Sequence, residues 1–418
     1  MQLKTLLNRT HKLKGFVYAK VKEGQWAGKM CIEVEVRPRK GSRPICSSCG
    51  RRGPGYDTPR GPRRFEFVPF WGIAVFFLYA MRRVDCPRCG VKVEYVPWAD
   101  GKHFMTVAYQ WFLANWAKRL SWSQVAEAFG TTWHYVFTSV EMAVDWGLKH
   151  RDLQGITAIG IDEMQWGRGH NYVTVVYQIN EGCKRLLWIG QHRKIKTLLR
   201  FFRWFGKERS EGLRFVCSDM WHPYLKVIRK KASEAIHILD RFHIVANINK
   251  ALDKVRRQEV NQLASQGREP VLRNSRWCLL KRPENLTDRQ FPRLSELLRM
   301  NLRTVRAYLL KEDFNFLWTY TSPYWAGRFL DQWCARTMRS RIEPMKEKAR
   351  SIRKHRELIL NWFRAKKEFS SGVVEGLNNK AKLVTKQAYG FHTYRMLQIA
   401  LYHRLGELPE PNFAHRFS

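Results

Sequence analysis

Two acids at the end of an apolar run raise the first chemical question. The stretch AIGIDEMQWGRGH, residues 158–170, reads as a buried strand that runs into Asp162 and Glu163, in a chain of formal net charge +39. Period-two alternation puts Ala158, Gly160 and Asp162 on one face and Ile159, Ile161 and Glu163 on the other. A second run, GLRFVCSDMWHPYLKVIRKKAS, reads as a strand ending at Asp219 and a helix starting near Pro223. If the two strands are neighbours, Asp162 and Asp219 meet at one sheet edge, where they repel unless divalent cations sit between them. Such a pair suits two magnesium ions, with manganese as a substitute, clamping the attacking and leaving oxygens of a phosphodiester. Each acid alone reads equally well as a loop-facing or helix-capping carboxylate. Glu163 points to the opposite face and is left out of the site.

The second chemistry lies in four cysteines. CSSCG places Cys46 and Cys49 three apart before Gly50, and CPRCG repeats this with Cys86, Cys89 and Gly90. Two such knuckles supply four thiolates, a closed tetrahedron for a structural zinc with no open position for catalysis. The 36 residues between the pairs exceed a usual zinc-ribbon gap and imply an insertion. Four reduced core cysteines are the bland alternative. The other five of the nine are scattered and read as small buried hydrophobes.

The elements needed to hold these groups can be read from periodicity. NYVTVVYQI and CKRLLWIGQ are strands after the first acid, KIKTLLRFFRWF is helical, and EAIHILDRFH is a strand ending near Asp240. Three strands followed by alternating helices and strands make an α/β mixed sheet flanked by helices. Upstream, SWSQVAEAFGTTWHYVFTSVEMAVDW has a cap at Ser121 or Ser123, an apolar face at Val125, Ala126 and Phe129, and a break at Gly130. Those features suit a helix-turn-helix whose second helix would set Thr132, His134 and Tyr135 into a major groove; a plain helical hairpin explains the same residues. The charge, 75 Lys and Arg against 36 Asp and Glu, points to a polyanion such as double-stranded DNA. FVPFWGIAVFFLYAM, the longest uncharged run, is too short and broken to span a bilayer, so no membrane partner is expected and a cytoplasmic, nucleoid-associated location is.

GIDEMQWGRGHNYVTVV, VCSDMWHPY, ILDRFHIVANINKALDKVRR and VVEGLNNKAK…AYGF, in that order, resemble the motif series of the ISL-three group of bacterial insertion-sequence DDE transposases. The resemblance covers nearly the whole chain, including the N-terminal cysteines and the helix-turn-helix. It implies an RNase-H-like catalytic core and a third acid on a late helix, which SSGVVEGLNNKAKLVTKQAYGF provides as Glu375. Asp162, Asp219 and Glu375 would then be the catalytic, magnesium-binding triad. Asn379, Lys382 and Lys386 share the Glu375 face and suit DNA phosphate. Asp240 and His243, a D-x-x-H pair, would support the site or form a structural hydrogen-bonded pair. Glu375 by itself is also an ordinary first-turn glutamate.

The expected organisation is a zinc-binding domain over 1–100, a helix-turn-helix over 101–150, and a catalytic domain in two parts. The parts, 151–243 and 370–418, flank an all-helical insertion over 244–369, and residues 241–370 hold 29 Lys and Arg against 13 Asp and Glu. Tryptophans of the insertion either fill its core or stack an unpaired base. The implied function is transposition: binding terminal inverted repeats, metal-dependent cleavage, and strand transfer into target DNA by a homo-oligomer on DNA. A same-fold nuclease and a transposase-derived, zinc-containing DNA-binding regulator without catalysis are the alternatives.

Overall fold

A computed structural model describes residues 2–58, 61–101, 103–167, 169, 171–268, 271–366 and 372–412. Contacts divide the chain into two compact units, one of residues 1–152 and 386–418 and the other of residues 153–385.

In the first unit, β1 (Phe16–Trp26), β2 (Lys29–Pro38), β4 (Arg63–Phe70) and β5 (Ile73–Tyr79) form a sheet in the order β1-β2-β5-β4. A smaller sheet, β3-β6-β7, is made of β3 (Gly55–Asp57), β6 (Arg83–Cys86) and β7 (Gly90–Val93). The long gap between the cysteine pairs is thereby explained: the chain leaves the small sheet to lay β4 and β5 into the larger one. Trp98 and Phe65 anchor the core of the larger sheet.

Three helices follow, Val107–Trp116, Trp122–Ala128 and Trp133–His150. Ser121, not Ser123, caps the second with a complete capping box, and Gly130 at φ +63° makes the turn. Val136 and Val140 are buried, whereas Thr132, His134 and Tyr135 are exposed at the start of the long helix. The sequence-based division kept 370–418 together, but the contacts of helix Tyr394–Leu405 lie in the first unit. Arg395 pairs there with Glu141 at 2.9 Å and Asp145 at 3.3 Å.

The second unit is built on a five-stranded sheet of order β10-β9-β8-β11-β12. Its strands are β8 (Ala158–Gln165), β9 (Tyr172–Asn180), β10 (Cys183–Gln191), β11 (Phe215–Ser218) and β12 (Ile236–Leu239). β8 and β9 are antiparallel, as are β9 and β10, while β11 is parallel to both β8 and β12, so the sheet is mixed. One face carries Ile159, Ile161 and Val216 against helices Ile195–Phe205 and His222–Lys231. The other face receives helix Gly372–Gln387, whose Val374 lies over Gly160.

Between β12 and that helix the described residues are helical. They form Arg241–Ser265, Arg276–Leu280, Gln290–Leu298, Arg303–Asn315, Pro323–Arg339, Glu343–Lys354 and Arg356–Arg364, with two short 3-10 turns. Trp333 and Trp362 are buried in this bundle and Trp318 is half-buried, but Trp277 and Trp325 are more than half exposed. Among the described residues no helix is long and apolar enough to cross a membrane.

Candidate active site and metal centre

Parallel register decides where the acids fall. Ser218 at the end of β11 pairs with Ile161 of β8 and with Leu239 of β12. The next residue on each strand is an aspartate: Asp162, Asp219 and Asp240. Three carboxylates therefore stand in a row at the carboxyl ends of three adjacent parallel strands. One detail departs from the sequence reading, which ended the first strand at its acids. β8 continues to Gln165, because β9 goes on pairing with it after β11 has stopped.

Each acid is held differently. Asp162 Oδ1 accepts the Glu163 amide at 2.7 Å, and its Oδ2 accepts Asn378 Nδ2 at 2.5 Å. Tyr177 donates its hydroxyl to Asn378 Oδ1 at 2.8 Å. Asp219 accepts the Trp221 amide at 2.9 Å and faces Arg193 Nη2 at 3.3 Å. Asp240 caps helix Arg241–Ser265 through the Phe242 amide and lies 3.6 Å from His243 Nε2. Burial pushes the Asp162 carboxyl up to about 6; its backbone hydrogen bond and His243 oppose this, and the charges of Asp219 and Asp240 add to it. That dependence ties Asp240 and His243 to the same electrostatic site.

Glu163 lies on the opposite face, as alternation requires, yet it is not remote. Arg193 Nε sits 2.8 Å from Glu163 and its guanidinium stacks over Trp221, so one arginine links Glu163 to Asp219. Burial and the Asp219 charge push Glu163 up to about 8, with Arg193 opposing.

Glu375 starts helix Gly372–Gln387 and is exposed, as are Asn379, Lys382 and Lys386. The buried stripe is Val374, Leu377, Asn378, Ala381 and Val384. Glu375 lines a cleft of about 320 Å³ with Arg241, Phe242, Arg282, Lys311 and Trp362, and among the described residues no hydrogen bond or ion pair joins it to the aspartates. The sequence reading missed Arg193, Tyr177 and Asn378. Asn378 left a signal, being a polar residue four positions after Val374 on an otherwise apolar stripe.

In the first unit, the Cys46, Cys49, Cys86 and Cys89 sulfurs all lie within 4.8 Å of one another. Among the described residues they are the one group of three or more potential ligands gathered so tightly. Gly50 and Gly90, at φ +71° and +69°, close the two knuckles. Cys46 is drawn down to about 7: burial resists ionisation, but the amides of Cys49 and Ser48 and the neighbouring sulfurs outweigh it. Cys89 is pushed up to about 12 by its hydrogen bond to Cys49 and by burial. Four cysteine sulfurs gathered this closely can serve one cation as four thiolates.

A family model described as Transposase, of the DDE type and the ISL3 group, matches residues 159–401, which include most of the mixed sheet from β8 on and the carboxylates at its strand ends. The chain belongs to that family, and its enzymatic class is that of a DDE transposase. It is similar to the transposase for insertion sequence element IS1557 of Mycobacterium tuberculosis, 30% identical over an alignment of 389 residues that covers 88% of this chain and 86% of the relative. It is also similar to the transposase for insertion sequence element IS1001 of Bordetella parapertussis, 28% identical over 351 residues, 83% of this chain and 85% of the relative.

Proposed function

We propose that this transposase cuts DNA at the ends of an insertion sequence and joins them to a target, using Asp162, Asp219 and Glu375 on an RNase-H-like core. The observation that carries the reading is the register: Asp162 and Asp219 follow directly on paired Ile161 and Ser218. The donors are hard carboxylate oxygens, and the cost of burying Asp162 beside two more aspartates is relieved by divalent charge. Donors spread across this row, and not gathered at one point, would suit a pair of divalent ions held by Asp162, Asp219 and Glu375.

Two magnesium ions, or manganese in their place, would supply Lewis acidity on both sides of the scissile phosphate. Asp162 and Asp219 hold the fixed side of that arrangement, and Glu375 supplies the side carried on the late helix. Asp240 and His243 add charge balance beside Asp219. Lys382 and Lys386, exposed on the Glu375 helix, suit contacts to DNA phosphates, with Asn379 between them and the acid. No side-chain nucleophile is required, because water and then a 3′ hydroxyl serve as attacking groups.

Zinc is the metal that suits four thiolates in two knuckles, in a structural role. The helix starting at Trp133 would present Thr132, His134 and Tyr135 to the terminal repeats, and joining two ends calls for an oligomer on DNA. A bacterial protein doing this works in the cytoplasm, at the nucleoid. The test is cleavage and joining of duplex DNA that carries the sequence flanking the gene. Nicking at one defined position followed by joining supports the reading; binding there without any cut favours a regulator, and cutting without joining favours a nuclease.

A further inference from the structure

We propose that Asn378, locked by Tyr177, is a positioning residue that sets the Asp162 carboxylate for metal and keys the Glu375 helix to it. The inference rests on the reading of Asp162 as a metal ligand and goes beyond it.

Asn378 is 6% exposed on a stripe otherwise made of Val374, Leu377, Ala381 and Val384, and Tyr177 is fully buried on β9. Packing alone gives no reason for an amide and a phenol there, since buried polar groups are costly unless paired. Both are paired, and in series: the Tyr177 hydroxyl to Asn378 Oδ1, and Asn378 Nδ2 to Asp162 Oδ2. With an ionised carboxylate at one end the series has a single polarity. Only the amide nitrogen can face Asp162, so the amide oxygen must take the tyrosine proton. Tyr177 thus fixes which way Asn378 points. Asn378 and the Glu163 amide then hold one oxygen each of Asp162, leaving each oxygen one further lone pair of set direction.

The same series sets the helix. Val374 and Asn378 are one turn apart, about 6 Å along a helix, while Gly160 and Asp162 are about 6.6 Å apart along a strand. Val374 over Gly160 and Asn378 on Asp162 are therefore two matched steps of one helix-on-strand register. Glu375 lies next to the first step and one turn before the second. Its rotation about the helix axis is fixed by the contact that orients Asp162.

The full chain with its zinc tests this by manganese binding, followed through the free-ion paramagnetic resonance signal, beside cleavage as a function of magnesium. Tyr177→Phe keeps the ring and removes only the hydroxyl; Asn378→Ala removes the bridge. Groups that orient a metal ligand change metal affinity by about 10–100-fold. We expect Asn378→Ala to weaken manganese binding at least 10-fold and Tyr177→Phe to weaken it less, in the same direction. Cleavage by both should recover towards wild type at high metal. Unchanged manganese affinity in both variants, or a cleavage loss equal at every metal concentration, would overturn the proposal. Asp162→Ala separates the two levels: if it binds manganese like wild type, the triad reading fails first, and if it alone loses the ion, only the role of Asn378 fails.

Discussion

Val374 occupies the space that a side chain at residue 160 would need. A β-carbon built on Gly160 would lie 2.3 Å from Val374 Cγ2, so the helix carrying Glu375 can dock on β8 only because residue 160 is glycine. Asp162 is two residues along the same strand face, so this close approach and the placement of two of the three proposed catalytic acids are one structural fact.

Gly160→Ala should lift that helix. Overpacking of this kind costs about 1–3 kcal/mol, and cleavage should fall further than stability alone explains because the Asn378–Asp162 contact stretches. Val374→Ala on the same background should restore part of both. Thermal melting beside a cleavage rate checks this; a fully active Gly160→Ala would mean the helix position is not critical.

The pH dependence of the metal-free chain should carry the mark of Asp162. Its carboxyl sits near 6 in the folded protein against an ordinary 3.8, so the protonated form is favoured on folding. That contribution is complete below the ordinary value and is lost as pH rises through 6. The melting temperature without metal should therefore decline between about pH 4 and 7, and saturating magnesium should flatten the decline by pairing the charged form. A metal-free profile unaltered in Asp162→Ala would assign the decline to other groups.

Replacing Cys46 or Cys89 with serine should remove one zinc per chain, read by elemental analysis, and unfold the small sheet around Cys86. Structural zinc sites contribute folding energy outright, so a strong chelator should do the same to wild type. Manganese binding by the proposed acids, in the other unit, should be untouched by the cysteine variants.

Lys382→Ala and Lys386→Ala should each weaken DNA binding with little sequence preference. The slope of log affinity against log salt should become shallower by about 1 per lost phosphate contact. An unchanged slope would move DNA off this helix face.

Much of the site was legible from local pattern. Period two assigned Asp162 and Glu163 to opposite faces, and runs such as FVCSD and IHILD ended strands at acids, although β8 carries Asp162 and Glu163 within its pairing with β9. Spacing also exposed the four cysteines. What escaped was set by tertiary contact. No pattern in the sequence says that Arg193, past the end of β10, reaches both Glu163 and Asp219. The choice between Asn378 and Asn379 needed the helix rotation: the exposed amide fits a DNA-facing surface, but the buried one touches Asp162. Helix Tyr394–Leu405 likewise joins the first unit through Arg395, a long-range ion pair that no local period encodes.

The central claim is that Asp162, Asp219 and Glu375 act together on metal. Its most direct test is single-position cleavage of the flanking duplex by wild type and by the three alanine variants, in magnesium and in calcium. The account predicts a cut by wild type in magnesium alone and its loss in each variant, with DNA binding retained. A Glu375→Ala chain that still cuts at the wild-type rate would contradict it.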